Sequence, residues 1–358
     1  AAFLAHELGR PVRVQWMREE ESAWDTKGPP YLIRLRGALD AQGRVSAIEY
    51  DACSVDHAHL GYNEPDTVLI AQLMGRRPAQ PARGGTSTPA IHYGIPNRRL
   101  ATRVVGLPLT WETPLRTGNL RDPNGPQVTF AFESFIDELA VAAHADPLQG
   151  RLDLLRAGVE DDTFRKARSI ATLEAAARAY GWQPRATPRA RPASTRDAVL
   201  SGRGISYTVR SNTVAAVIAD VDVDTDTGRL RVRRMVCAHD CGLVINPRGL
   251  SHTVECGMLH ALSRALYEEV QFDDARITST DWSSYPTLRH ADTPDSIEIV
   301  LVNGDPRPDR PDLPPYGAGE GSHKPVIAAI ANAVFDATGV RLRRVPFRPE
   351  RVLETLRA

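Results

Sequence analysis

Three stretches of this chain combine reactive side chains with small residues that let a backbone approach a ligand. The densest is Pro314-Pro315-Tyr316-Gly317-Ala318-Gly319-Glu320-Gly321-Ser322. Three glycines surround one carboxylate there, and glycine permits dihedrals and contacts that a β-carbon forbids. A carboxylate so placed faces whatever ligand the loop holds. The same spacing also fits an ordinary loop and helix cap with a solvated glutamate, because glycine clusters are common punctuation. It is not a dinucleotide fingerprint. Ser322 stands where the third glycine belongs, and two prolines precede the loop where a strand is needed.

The second stretch runs Thr113-Pro114-Leu115-Arg116-Thr117-Gly118-Asn119-Leu120-Arg121-Asp122-Pro123-Asn124-Gly125-Pro126-Gln127. Two arginines in a Gly/Pro/Asn loop just before a helix suit an anion, which the helix N-terminus attracts. A surface loop with solvated arginines has the same composition. The third stretch is Cys237-Ala238-His239-Asp240-Cys241. Structural zinc usually needs a second such pair and plant-type iron–sulfur clusters need other spacings, so buried cysteines at a strand end are the better reading. The sequence holds no Gly-x-Ser-x-Gly elbow, phosphate-binding loop or His-Glu-x-x-His.

The elements that must position these loops follow from periodicity. Residues 1–8 read as an apolar helix stopped by Gly9-Arg10-Pro11, and 12–16 alternate like a strand. Residues 32–39 and 45–52 form a hairpin about Ala41-Gln42-Gly43, and residues 60–100 read as long loops. Phe132, Phe135, Ile136, Leu139, Ala140 and Ala143 recur at helical spacing, giving a helix over 129–145, and further helices fall near 147–157 and 163–181. The Pro/Arg/Ser-rich 183–203 is the best linker. Beyond it come strands at 214–223 and 229–236 around Asp226-Thr227-Gly228, a helix at 249–267, and a strand at 296–302. A last helix carries Val326, Ile327, Ile330, Val334 and Phe335 on one face and ends at Gly339. Mixed elements without strict alternation make the class α+β.

The 358 residues suit two domains, divided as 1–182 and 204–358 around the linker. Lys plus Arg and Asp plus Glu each total 44, which argues for neither nucleic acid nor an anionic membrane as partner. Four cysteines form no disulfide framework in a chain this long. No apolar run approaches the roughly 20 residues of a membrane span. The chain opens Ala1-Ala2-Phe3 as if in mid-helix, so an N-terminal part is expected upstream or on a separate chain, and the compartment is unreadable.

Five segments, in order, resemble the molybdopterin-binding large subunit of the xanthine dehydrogenase/aldehyde oxidase superfamily. They are Gly9-Arg10-Pro11-Val12-Arg13-Val14-Gln15-Trp16-Met17-Arg18-Glu19-Glu20, Phe130 through Ala140, His239-Asp240-Cys241-Gly242-Leu243-Val244-Ile245-Asn246-Pro247, Gly317-Ala318-Gly319-Glu320, and Ala331 through Gly339. The resemblance extends to nicotinate dehydrogenase large subunits and isoquinoline 1-oxidoreductase beta subunits. It implies two mixed α/β cofactor-binding domains of the aldehyde oxidase type, with the N-terminal portion missing from this chain.

It further implies a molybdenum-molybdopterin cofactor, in bacteria usually the cytosine dinucleotide form, with no direct protein ligand to molybdenum. By the same resemblance Glu320 is the catalytic base. Leu120 and Arg121 contact the cofactor from their loop, and Gly317, Ala318 and Gly319 approach it through backbone. Thr253 stands where the family has a pterin-bonding glutamine, and it is shorter than that amide. Arg116 is a further candidate for the substrate. The implied reaction oxidises an N-heteroaromatic or an aldehyde with water as oxygen source, and Glu320 takes up the proton in an apolar setting that moves its pKa toward the working pH. Lacking iron–sulfur and haem motifs, the chain would pass electrons to a small 2Fe-2S subunit, with a cytochrome as a candidate acceptor. A cofactor-free scaffold subunit and an unrelated α+β hydrolase using Glu320 and His323 are the competing readings.

Overall fold

The computed structural model describes residues 1–55, 89, 92–105, 115, 117–118, 120–158, 166–189, 198–302 and 313–358. Two sheets and eight α-helices make up the described residues, as the α+β reading expects. In the first sheet, β1 (Tyr31–Leu39) pairs antiparallel with β2 (Val45–Val55), and β2 pairs parallel with β3 (Asn97–Val105). Gly43 supplies a φ of 76° in the connecting turn, a conformation glycine adopts without strain.

The second sheet is ordered β4 (Val199–Arg210), β5 (Thr213–Asp224), β6 (Leu230–Asp240) and β7 (Ser296–Leu301). The first two pairings are antiparallel and the last is parallel. Side chains alternate across a strand, and β5 uses both faces. Val214, Ala216 and Ile218 join one core with Phe132 and Ile136 of α3 (Gly125–Ala142) and Leu173 and Ala176 of α5 (Lys166–Tyr180). Val217, Ala219, Val221 and Val223 join the other, with α6 (Pro247–Leu266) and α7 (Val326–Thr338). Burial on both faces explains the nearly unbroken apolar run of this strand. α4 (Pro147–Ala157) is N-capped by Asp146, whose carboxylate accepts from the backbone of Leu148 and Gln149.

α7 lies close on β4 because two glycines permit it. A β-carbon on Gly204 would come within 2.1 Å of the Ala329 carbonyl oxygen, and one on Gly202 within 2.2 Å of that of Ala333. At the end of α7, Gly339 takes a φ of 77° as its C-cap, as the sequence predicts.

Several expectations need correcting. Residues 12–16 take no regular secondary structure and pair with no strand among the described residues, and Val14 and Trp16 are exposed. β4 begins at Val199, inside the stretch read as a linker. Earlier in that stretch, Arg185 donates to the buried Asp336 carboxylate at 2.6 Å, so its first part is packed against α7. Periodicity does not reveal β3, β4, α2 (Arg18–Trp24) or α8 (Pro349–Arg357). Neither α1 (Ala2–Leu8) nor α2 buries a residue. Most of the expected 60–100 loop region lies outside the described residues. Among the described residues, no helix is long and apolar enough to cross a membrane.

Candidate functional site

The glycine-rich loop is clamped from behind by the end of β6. Tyr316 donates its N–H to the Cys241 carbonyl at 2.8 Å, and Gly242, at φ 73°, bridges to Pro315. That corner is fixed by a buried ion pair. Arg168 of α5 reaches both carboxylate oxygens of Asp240, at 2.6 and 2.9 Å, while Asp240 also accepts from the Gly242 N–H at 3.0 Å. Cys237 and Cys241 are both buried at the end of this strand, as expected. Burial pushes the Cys237 thiol up to about 12. Among the described residues no group of three His, Cys, Asp or Glu side chains is placed to hold a metal ion.

The loop's front differs from its back. Among the described residues, a β-carbon on Gly317 or Gly319 would meet nothing within 4 Å, and neither glycine has a positive φ. Neither backbone strain nor packing against the described residues therefore requires glycine at these two positions. On Gly321, by contrast, a β-carbon would lie 2.9 Å from Thr213 Cγ2 and 3.2 Å from His239 Nε2. The Gly317 carbonyl is tied down by the Thr213 hydroxyl at 2.7 Å.

The structure brings the two loops together. Arg121 Nε donates to the Gly319 carbonyl at 2.7 Å, and its Nη1 lies 3.3 Å from His260 Nδ1 and 3.6 Å from Cys256 Sγ, both on α6. Arg264, one turn on, donates to the Arg121 carbonyl at 3.2 Å. The Asp122 N–H donates to Glu320 Oε1 at 3.1 Å. Glu320 Oε2 pairs with the Arg210 guanidinium from the end of β4. The Glu320 side chain is 27% exposed, so it is drawn in rather than turned out to bulk solvent. Its setting is charged rather than apolar, because Arg210 arrives from a strand that periodicity does not reveal.

Behind Glu320 lies a buried cluster. Asp122, 2% exposed, has Lys324 Nζ 3.7 Å from Oδ1 and His323 Nδ1 3.8 Å from Oδ2. Burial lowers the proton affinity of both His323 and Lys324, and the nearby Asp122 carboxylate opposes that fall. His323 thus faces Asp122 rather than Glu320. Gly125 makes room for the cluster, since a β-carbon there would sit 2.2 Å from Asp122 Oδ1 and 2.4 Å from Lys324 Cε. On the far side of Lys324, a cavity of about 100 Å³ is lined by Tyr93, Asn124, Thr129, Phe132 and Glu133 among others.

The remaining sequence candidates are placed as follows. Leu120 is 41% exposed, and its Cδ2 would lie 3.9 Å from a β-carbon on Gly28. Thr253 lies on α6 one turn before Cys256 and Gly257, and its hydroxyl donates to the Gly249 carbonyl at 2.9 Å. Arg116 lies outside the described residues. Sequence reasoning does not single out Arg210, Asp122, His260 or Lys324. Asp122 at least belongs to a loop that composition marks, whereas Arg210 carries no local signal.

Known proteins resemble this chain along most of its length. Two molybdopterin cofactor-binding domain models match the chain, over residues 1–153 and 131–294. The B subunit of nicotinate dehydrogenase from Pseudomonas putida is 34% identical across 99% of this chain, which spans 28% of that protein. The beta subunit of isoquinoline 1-oxidoreductase from Brevundimonas diminuta is 26% identical across 98% of the chain and 40% of that protein. The solved aldehyde oxidoreductase of Desulfovibrio desulfuricans superposes with a TM-score of 0.74 at 17% identity, covering 98% of this chain and 52% of that one. The chain thus spans less than half the length of the curated relatives described.

Proposed function

This chain belongs to the molybdopterin-binding domains of the xanthine dehydrogenase/aldehyde oxidase family, and from that premise we propose that it forms part of the large subunit of a molybdenum hydroxylase. The enzyme oxidises an N-heteroaromatic substrate of nicotinate or isoquinoline type, or an aldehyde, with water as the source of oxygen. Its cofactor is molybdopterin in the cytosine dinucleotide form, and its electrons leave through a small 2Fe-2S subunit toward an acceptor such as a cytochrome. Upstream polypeptide, in the same chain or another, completes the site.

The observation that carries this reading is the open space before Gly317 and Gly319, one residue from a held carboxylate. Glycines that neither the backbone nor the protein requires leave room for a bulky planar group to lie against the loop. The donors around that space suit such a group. Arg121 lines it from the side of the Gly319 carbonyl, with His260 behind. Leu120, Gly317, Ala318 and Gly319 would contact the group, with Thr253 farther along α6. When bound, it supplies a two-electron acceptor and a Lewis acid that makes water a stronger acid.

The chain's own residues handle the proton. The Asp122 N–H and Arg210 orient the Glu320 carboxylate. Glu320 would accept the proton that the attacking water-derived oxygen gives up, while the electron pair of the carbon's broken C–H bond would go to the bound group as two-electron acceptor. The clamped loop keeps the carboxylate in reach without reorganising. Glu320→Gln keeps the shape and removes the base. It is expected to lower turnover by at least about 100-fold, the scale of a general base, with molybdenum content unchanged. Normal turnover at normal loading would reject Glu320 as base. One observation favours a cofactor-free scaffold instead: the Thr253 hydroxyl is spent on its own helix carbonyl. Molybdenum and pterin analysis of the purified assembly decides between them.

A further inference from the structure

We propose that Asp122 is a positioning residue that shares Arg210 with Glu320 and takes over the guanidinium when Glu320 gains a proton. The inference rests on the reading of Glu320 as the base. Its geometry is a row of alternating charges, Lys324, Asp122, Arg210 and Glu320. Arg210 stands between two carboxylates, with Nη2 on Glu320 Oε2 and Nε 4.0 Å from Asp122 Oδ1. Asp122 Oδ2 is buried and, among the described residues, accepts no hydrogen bond, with His323 Nδ1 3.8 Å away.

A buried carboxylate oxygen without a hydrogen bond is costly. Lys324 Nζ, 3.7 Å from Oδ1, and His323 Nδ1, 3.8 Å from Oδ2, lie nearer than Arg210 but are buried, whereas the part-exposed Arg210 guanidinium, 4.0 Å from Oδ1, can swing onto the carboxylate. Asp122 also holds a φ of 55°, which non-glycine residues seldom adopt and aspartate tolerates better than most. That backbone turn aims the N–H at Glu320 and the side chain inward. One residue therefore grips Glu320 through its backbone and competes for Arg210 through its carboxylate. The other groups facing this row are His323 from the turn after the loop, Arg264 from α6, and Arg121 on the Gly319 carbonyl.

Protonation of Glu320 cancels its charge and weakens its hold on Arg210. The guanidinium, 41% exposed, then pairs with Asp122. No other bond changes, and the proton resides on Glu320. Offering Arg210 a second seat lowers the cost of neutralising Glu320. Removing the Asp122 charge leaves Arg210 on Glu320 and favours the ionised base.

The test uses Asp122→Asn and Asp122→Gly in the assembled enzyme and in the cofactor-free chain. Glycine suits the φ and removes the carboxylate, so it carries the same expectation should the asparagine variant not fold. In cofactor-free protein, pH-dependent infrared difference spectra read the Glu320 carboxylate, with Glu320→Gln assigning its band. Both Asp122 variants should move its midpoint to lower pH by about one pH unit, the low end of what an opposite charge at short range gives. The acid limb of turnover should follow. Arg210→Gln should move the same midpoint upward. An unmoved or raised midpoint in the folded Asp122 variants overturns the proposal. If Glu320→Gln keeps full turnover, the base reading fails, while the infrared shifts still report whether Asp122 and Glu320 share Arg210.

Discussion

Glycine does opposite work in two parts of this molecule. At Gly202 and Gly204 the missing side chain is replaced by protein, because α7 presses its backbone onto β4. At Gly317 and Gly319 no atom of the described residues takes its place. The first pair serves packing of the fold, and the second leaves open space that the chain itself does not use. The contrast is repeated within five residues, since Gly321 backs onto Thr213 and His239 while Gly319 faces open space. A loop with a filled back and an open front is fixed in place and still accessible, which is what a ligand-contacting carboxylate needs beside it.

The largest effect expected from this comparison is at β4. In Gly204→Ala the new methyl meets the Ala329 carbonyl oxygen at 2.1 Å and the Ala333 nitrogen at 2.3 Å. Both are backbone atoms of one helix and cannot step aside singly. Destabilisation of about 4 kcal/mol or more is expected, beyond ordinary overpacking, with loss of soluble protein at the extreme. Denaturant unfolding of the variant measures it. A change below about 1 kcal/mol would mean that α7 slides freely on β4, and the filled-site half of the comparison would fall.

A smaller, pH-dependent effect tests the back of the loop. His239 lies behind Gly321, buried, with neither ring nitrogen hydrogen-bonded, and burial lowers its pKa from 6.5 to about 4. The unfolded chain takes up the proton below about 6.5, whereas the folded chain resists until about 4. Stability contributed by the neutral ring is therefore full above that window and lost as pH falls through it. Between about pH 7 and pH 4.5 the native protein should lose about 2 kcal/mol more than His239→Met, since each tenfold change in proton affinity is worth about 1.4 kcal/mol. Unfolding curves at both pH values give the difference. Equal losses would place a solvent path behind the loop.

How much of this was legible follows physical lines. The two hairpins and the helix at 147–157 show themselves by local periodicity and turn residues, and the structure places them within a few residues of expectation. β4 hides because Gly202 and Gly204 break its apolar pattern and a Pro/Arg-rich stretch precedes it. Arg210, at its far end, hides with it. The stretch 12–16 misleads in the other direction, since alternation without a neighbouring strand makes no sheet. Glu320 stands out because three glycines flank it. Sequence does not say which of those glycines are filled, as that depends on strands and helices remote in the chain.

The smallest expected change in stability is the most informative about function. Gly319→Ala adds a methyl that meets no atom of the described residues within 4 Å, at a position without positive φ. Its unfolding free energy should stay within about 0.5 kcal/mol of the parent, like other substitutions that disturb no contact. If the open front is where the molybdopterin lies, the same methyl intrudes on the group rather than on the chain. Molybdenum and pterin content of the assembled protein should then fall several-fold while the cofactor-free chain melts unchanged. Gly321→Ala is the internal control, because its methyl presses on Thr213 Cγ2 at 2.9 Å and should register in stability first. Should Gly319→Ala load cofactor normally, the open front faces solvent or another polypeptide, and the loop's glycines would need a different occupant to explain them.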